Sequence, residues 1–392
     1  MKRSSLITII VIIMFFYAGL IGQTAAQVIR NEGATINVAP GCYLVCQGAL
    51  NNNNGTITNN GIISITGAVT NPVPATISGG GSYYVGGNLV NDGIFSQGAG
   101  TTTFNGTVAQ TISGSSLTTF NNLVIDPAGA GTTIASGAMV TVTGSVLSQD
   151  GNLTINSAGT SSSGSLIVNG TATGNVTYNR VMPGDLYRYV SSPVVSTTLP
   201  AGTTFWKWNE AIGYWGDTPA ELPVTACETG IGYTMDTDGS PVAFTGGVLT
   251  SSVSLTATAP YGSNYVQNRG TWGGGGWNLF GNPYPSALKV VDSDGTSEND
   301  FIHHNLSSFD PGYQAVYIYD GSDYDYIALG IPGYTTGMGV FGSNDIQAGQ
   351  GFFVLTHYNG LPFTFMPEMR THNTTAVMTK SGSVPWPGVQ LK

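Results

Sequence analysis

The stretch from Gln27 to Arg180 contains only six charged residues, Arg30, Glu32, Asp92, Asp126, Asp150 and Arg180, and no Lys, His or Trp. A segment this poor in Lys, Glu and Arg has few of the residues that favour helix. It consists instead of short β-rich runs between Gly and Asn turns: "TINV", "GTITNNGIISITG", "TTTFNG", "NNLVI", "VTVTG", "NLTIN", "SLIVNG" and "NVTYN". Alternation at Ile63 and Ile65, Val140 and Val142, and Leu153 and Ile155 turns one face of each run inward. Strands this short bury little alone, so they must stack or pair. Two architectures fit, a β-solenoid and an antiparallel sandwich. The solenoid is favoured, because the turns carry Asn and Gly more often than hairpin signals. "NNNNGTITNNG" suits stacked rungs, where Asn side chains can hydrogen-bond in ladders along the stack.

The text changes after Arg180. All six Trp lie beyond it: Trp206, Trp208, Trp215, Trp272, Trp277 and Trp386. Strand candidates with large apolar residues, such as "TTFWKWNE", "GWNLFGN", "AVYIYDG" and "QGFFVLT", alternate with turn signals such as "DTDGSP" and "HYNG". The expected fold is therefore all-β: a Gly/Asn/Thr-rich, parallel β-helix-like solenoid over 27–180, an aromatic-rich β-sandwich over 181–375, and a linker or truncated tail over 376–392. Residues 1–26 read as a signal peptide: Lys2 and Arg3, an apolar run from Leu6 to Leu20, then "GQTAAQ" with cleavage near Ala26. The expected location is secreted or cell-surface, with no transmembrane segment in the mature chain. A net charge of −10 argues against nucleic acid as a partner.

Little in the inventory supports catalysis. The first half has no Lys or His to serve as base or acid. In the second half His303 and His304 are adjacent, on opposite faces if they lie on a strand, and no G-x-S-x-G elbow is present. The expectation is a non-enzyme with no organic cofactor. Cys42 and Cys46 flank "YLV". Read as a strand, that spacing is ~13 Å, beyond the ~7 Å a disulfide spans, so buried free thiols are expected.

Acidic loops offer one ligand chemistry. Asp292, Asp294, Glu298 and Asp300 form one cluster, and Asp320, Asp323 and Asp325 another. Alternate carboxylates about a Gly can wrap oxygen around Ca²⁺, and solvated turns in an acidic protein explain the same pattern. "FWKWNEAIGYW" offers aromatics that could stack on sugars; the plainer reading turns Trp206 and Trp208 to the core and Lys207 to water. In "GWNLFGNPYPS", Trp277 and Leu279 alternate with Asn278 and Phe280, giving a strand with large residues on both faces. Gly281 is free to take φ > 0, Asn282 and Tyr284 each precede a proline, and Pro283 and Pro285 end the strand. This stretch is expected to be structural, a rigid exit anchored by Trp277 and Tyr284.

The order "RYVSSPV", "FWKWNEAIGYW", "GIGYTM", "VAFTGGV", "GWNLFGNPYPSAL", "AVYIYDG", "IQAGQGFFV", "FMPEMRTH" resembles a module of large secreted surface proteins of the Bacteroidota. Many such proteins carry an N-terminal solenoid whose wording resembles "TTTFNGTVAQTISG" and "LTTFNNLVI". The resemblance implies type IX secretion and a setting at the cell surface or outer membrane, in contact with the secretion machinery. It also implies a C-terminal sorting domain; "TKSGSVPWPGVQLK" reads as a linker leading into a strand cut short, as expected of a fragment or of attachment by another route. The expected role is structural or adhesive, a solenoid stalk carrying a binding or structural module, with polysaccharide, cell-surface components or itself as partner. The rival expectation is a secreted carbohydrate-active enzyme or carbohydrate-binding accessory protein.

Overall fold

A computed structural model describes residues 27–148, 152–159, 161–182, 184, 186–195, 198–211, 214–216, 223–259, 275–292, 299–319, 324–329, 343–376 and 378. The first half is a parallel β-solenoid of about seven turns. Each turn contributes one strand to each of three sheets. The first turn supplies Ile29–Asn31, Thr35–Val38 and Tyr43–Cys46, which define the first, second and third faces. Successive rungs pair in parallel, Ile29 with Leu50, Ile36 with Ile57 and Leu44 with Ile63. Side chains alternate as expected, so Ile57, Ile63, Ile112, Phe120, Val140 and Leu166 fill a fully buried interior.

The predicted asparagine ladder is present at the turn after the first face. Asn31, Asn52, Asn71 and Asn91 are 2, 0, 1 and 0 % exposed. Each Nδ2 donates to the next Oδ1 at 2.9 Å, across spacings of 21, 19 and 20 residues, and Asn91 ends the row by donating to the Thr118 hydroxyl at 3.1 Å. The amides also donate to backbone carbonyls, Asn71 to that of Ile94 and Asn52 to that of Gly55. An amide has donors and acceptors at one end, so identical copies one rung apart satisfy each other where water is excluded. Close stacking also explains some glycines. Gly79 and Gly114 have φ of +109° and +117°, and a Cβ at either would overlap the backbone of Asn59 or Asn91 one rung back.

The second half adds further sheets. Leu186–Ser191, Phe205–Asn209, Tyr214–Trp215 and Gly232–Thr237 form one antiparallel sheet; Trp277–Gly281, Ala315–Tyr319, Tyr324–Ala328 and Gly351–Leu355 form another. The two meet at Tyr189, Leu279 and Phe353, with the Tyr189 and Phe353 rings edge-on at 5.2 Å. The other face of the second sheet buries Phe280, Phe352, Val354, Val316 and Ile318 against Phe301, Phe309 and Phe363. The strand Trp277–Gly281 therefore carries large residues on both faces, as its alternation predicts. His303 and His304 lie in a short helix, Phe301–His304, and not on a strand. Asp300 caps that helix, since its Oδ1 accepts from His303 N at 2.8 Å.

The second half also covers two of the solenoid's three faces at its C-terminal end. The strand Pro241–Gly246 pairs antiparallel with Val176–Val181, the last solenoid strand of the first face, over six residue pairs. On the second face, Leu166 N donates to Pro285 O at 2.8 Å and Arg370 Nη1 to Val168 O at 2.6 Å. His372 bridges Thr141 Oγ1 and Ser165 Oγ, both at 2.8 Å. One continuous apolar core runs from Val38 through Phe120, Leu166 and Tyr178 to Phe205, Phe244 and Met378. Arg180, at the compositional boundary, is wholly buried, with Nη1 on Ser163 Oγ and Nε on Met378 Sδ at 3.1 Å. The tail assigned to 376–392 begins inside this junction, for Ala376 and Met378 are both buried; 377 and 379–392 lie outside the described residues.

Two outcomes are expected. Asn71→Ala removes the middle of the ladder, taking one acceptor from the Asn52 amide and the donor from the Asn91 side-chain oxygen. It should cost about 2 kcal/mol or more in urea unfolding, against ~0.5 kcal/mol or less for exposed Asn54→Ala; equal effects would refute the ladder. The pKa of His372 is pushed down to about 4, by burial first and by Arg370 second. The native ring is neutral, so stability is complete above the unfolded value near pH 6.5 and lost as pH falls towards 4. The loss is on the order of 3 kcal/mol. His372→Gln should flatten this part of the urea-midpoint profile relative to wild type; parallel profiles would contradict the assignment.

Candidate binding cleft in the second half

The strand Phe205–Asn209 exposes its residues unequally. Phe205 is fully buried in the core shared with the solenoid, its ring 5.8 Å from Tyr233 and 6.1 Å from Phe244. Trp208, on the opposite face, joins the aromatic layer, 5.3 Å from Trp215 and 5.7 Å from Phe353. Both faces of this strand are thus packed. Trp206 is half-buried, edge-on to the exposed Tyr187 at 6.3 Å, so the expectation that both tryptophans enter the core holds only for Trp208. Lys207 reaches the rim and pairs with Glu228 at 2.6 Å.

Where this strand ends, Glu210 turns inward and is 4 % exposed. Its Oε1 accepts from Gly275 N and Gly276 N, both at 2.6 Å, and its Oε2 accepts from Trp208 Nε1 at 2.9 Å. Burial pushes its carboxyl above the ordinary range, although these donors favour the charged form. Trp208 Nε1 also donates to Trp277 O at 2.9 Å. Asn278 is held by Thr258, whose N donates to its Oδ1 at 2.8 Å and whose carbonyl accepts from its Nδ2 at 3.0 Å.

Beside these groups lies a cavity of about 260 Å³. Lys207, Trp208, Asn209, Glu210, Thr256, Thr258 and Asn278 line it, with Ile231, Leu279 and Phe280 as its apolar side. Among the described lining residues Glu210 is the one carboxylate. With Glu210, Asn278 and the Trp208 N–H engaged within the protein, the cleft presents the Thr256 and Thr258 hydroxyls, the Asn209 amide, the Lys207 ammonium and an indole face. Such groups suit a polar, largely uncharged ligand held by many hydrogen bonds.

The remaining sequence candidates fall elsewhere. Asp292 Oδ2 accepts from Lys289 Nζ at 3.2 Å. Asp300 is fully buried and its Oδ2 accepts from Asp292 N at 2.8 Å and pairs with His303 Nδ1 at 2.6 Å, so it holds the helix start. Asp325 is buried in the strand Tyr324–Ala328, while Asp294, Glu298, Asp320 and Asp323 lie outside the described residues. Among the described residues no three His, Cys, Asp or Glu side chains gather to hold a metal. All three cysteines are free; Cys46 and Cys227 are buried, but Cys42 is exposed, because it sits in the turn ahead of the strand Tyr43–Cys46.

"GNPYPS" proves to be a joint between the two halves. Gly281 is not among the positive-φ glycines; it is needed because a Cβ there would overlap Ser191. Asn282, fully buried, donates to Ser286 O at 2.8 Å and Gln347 O at 3.1 Å and accepts from Tyr284 N at 3.0 Å. Tyr284 is fully buried beneath the Arg370 guanidinium, 5.7 Å from its ring centre. Pro283 lies between them, and Pro285 presents its carbonyl to the solenoid. Trp277 is only half-buried, edge-on to Tyr317 at 5.1 Å.

Glu210, Asn278 and His372 carry more of the structure than the sequence suggests. The one available signal for Glu210 is a lone carboxylate directly after the aromatic run "FWKWN". No helix among the described residues is long and apolar enough to cross a membrane. A family model described as "Domain of unknown function (DUF8693)" matches residues 100–382, from the middle rungs of the solenoid through most of the second half. Comparison with curated proteins and with solved structures finds no match.

Proposed function

We propose that this chain, which belongs to the DUF8693 family, is an exported surface or extracellular protein of structural or adhesive function, with the solenoid as stalk and the second half as binding head. The observation that carries this reading is the junction. The six-pair strand union between Val176–Val181 and Pro241–Gly246, the His372 bridge and the shared core join stalk and head without a linker. Such a join transmits force and holds the head at a fixed distance from whatever the other end contacts. The nearly uncharged solenoid supports the same reading, since it offers little acid–base chemistry.

The head's partner in this proposal is a polysaccharide, taken at the cleft beside Glu210. Sugar hydroxyls match the Thr256 and Thr258 hydroxyls, the Asn209 amide and the Lys207 ammonium, and the Trp208 indole supplies an apolar surface. Export follows the signal-peptide reading of residues 1–26, and the Bacteroidota-like module supports type IX secretion. Calcium at the acidic loops, Asp292, Asp294, Glu298 and Asp300 in one and Asp320, Asp323 and Asp325 in the other, belongs to the proposal.

A second reading has one specific support. A carboxyl whose pKa burial raises is the kind of group that protonates a glycosidic oxygen, which keeps a carbohydrate-active enzyme in view. Glycan-array binding and a reducing-end assay on the same purified protein separate the two. The expected result is retention on a subset of glycans without release of reducing ends. The double variant Thr256→Ala/Thr258→Ala, which removes two exposed hydroxyls from the cleft, should weaken that retention at least ~10-fold while the melting temperature shifts by a few degrees at most. Retention on no glycan would remove the binding-head reading; reducing ends released by wild type and abolished in Glu210→Gln would make the protein an enzyme.

A further inference from the structure

The two ends of the solenoid are treated differently. At the C-terminal end the second half covers the last strands of the first and second faces. At the N-terminal end, the strands Ile29–Asn31, Thr35–Val38 and Tyr43–Cys46 each lie at the margin of their sheet. Among the described residues, nothing pairs with their outer backbone edges. The interior is open there as well. Leu50, Ile57 and Ile63 are fully buried, whereas their first-rung counterparts Ile29, Ile36 and Leu44 are only partly so. An apolar core ending in three unpaired strand edges is a template for more β-structure.

The chemistry of this end selects an occupant. Arg30 and Glu32 are the only charged residues between Gln27 and Asp92, and they flank Asn31 at the end of one edge strand. A two-fold axis through Asn31 would lay this strand antiparallel on its own copy. It would set Arg30 against Glu32 of the other copy, and Glu32 against its Arg30. The same axis exchanges the second and third faces, so that Thr35–Val38 would run beside the copy's Tyr43–Cys46, each four residues long. Ile36 and Leu44 would then close each other's core. A surface complementary to itself in charge, strand length and apolar content fits an isologous contact.

We propose that the first rung is a dimerisation surface, at which a second copy of this chain continues the solenoid end to end by antiparallel strand pairing. The result is a double-length stalk with a head at each end. It rests on the proposed removal of residues 1–26, which leaves the edge strands free for a partner.

Sedimentation equilibrium on the exported protein, with its N-terminus read by mass spectrometry, tests this. Wild type should be a dimer. Arg30→Glu and Glu32→Arg should each raise the dimer dissociation constant at least ~10-fold, because like charges then face each other. The double variant Arg30→Glu/Glu32→Arg should restore the wild-type constant to within ~3-fold, since opposite charges again meet. Ile36→Lys, which places an ammonium at the open core, should abolish the dimer, with circular dichroism confirming the fold of every variant. A monomer across the concentration range would overturn the proposal, whether residues 1–26 are found removed or retained. A dimer indifferent to both single reversals would equally overturn it.

Discussion

A parallel β-solenoid cannot finish itself. Every rung satisfies its backbone and buries its interior only against the next, so a last rung leaves three strand edges and an open apolar core. The second half of this protein meets that constraint on two of the three faces at one end; Thr171–Thr173, the last strand of the third face, stays at the margin of its sheet. Pro241–Gly246 takes the first-face edge as an antiparallel strand. Pro285, Arg370 and His372 take the second with a carbonyl, a guanidinium and an imidazole. Phe205 and Phe244 extend the core beyond the last rung. The head is thus folded on the stalk, and the family match from residue 100 to residue 382 runs unbroken across the join.

Burial at that join explains residues that are hard to place otherwise. Arg180 is wholly buried, and burial lowers its pKa below the ordinary guanidinium range. Its contacts to Ser163 and Met378 tie three separate parts of the chain together. The neutral imidazole of His372 works for the same reason: a ring with one donor and one acceptor nitrogen suits two hydroxyls, and a charged ring beside Arg370 would not. Inside the solenoid, the asparagine ladder solves an equivalent problem with repeated identical groups.

How much of this can be read from sequence depends on the distance between partners. The solenoid is legible because alternation at Ile63 and Ile65 or Val140 and Val142 is local, and the ladder because Asn recurs in the turns that stack. The two-faced strand at Trp277–Gly281 is legible for the same reason. His372 is not, because its partners lie 231 and 207 residues away. Glu210 is a lone carboxylate until the fold brings Gly275 and Gly276 to it, and the reason for Gly281 is a close approach to Ser191, which φ preferences do not reveal. The change of composition at Arg180 marks a real change of architecture, from rungs to antiparallel sheets. It does not mark a linker, because Tyr178 pairs with Phe244 across it and Arg180 Nε reaches Met378.

The central claim is that stalk and head form one cooperative unit through this junction. Hydrogen exchange followed by mass spectrometry at increasing urea tests it most directly. The amides of 165–168, 176–181 and 242–246 should lose protection together, at one denaturant concentration. Early exchange of 242–246 with 165–168 and 176–181 still protected would show a head that unfolds independently, and would contradict the account.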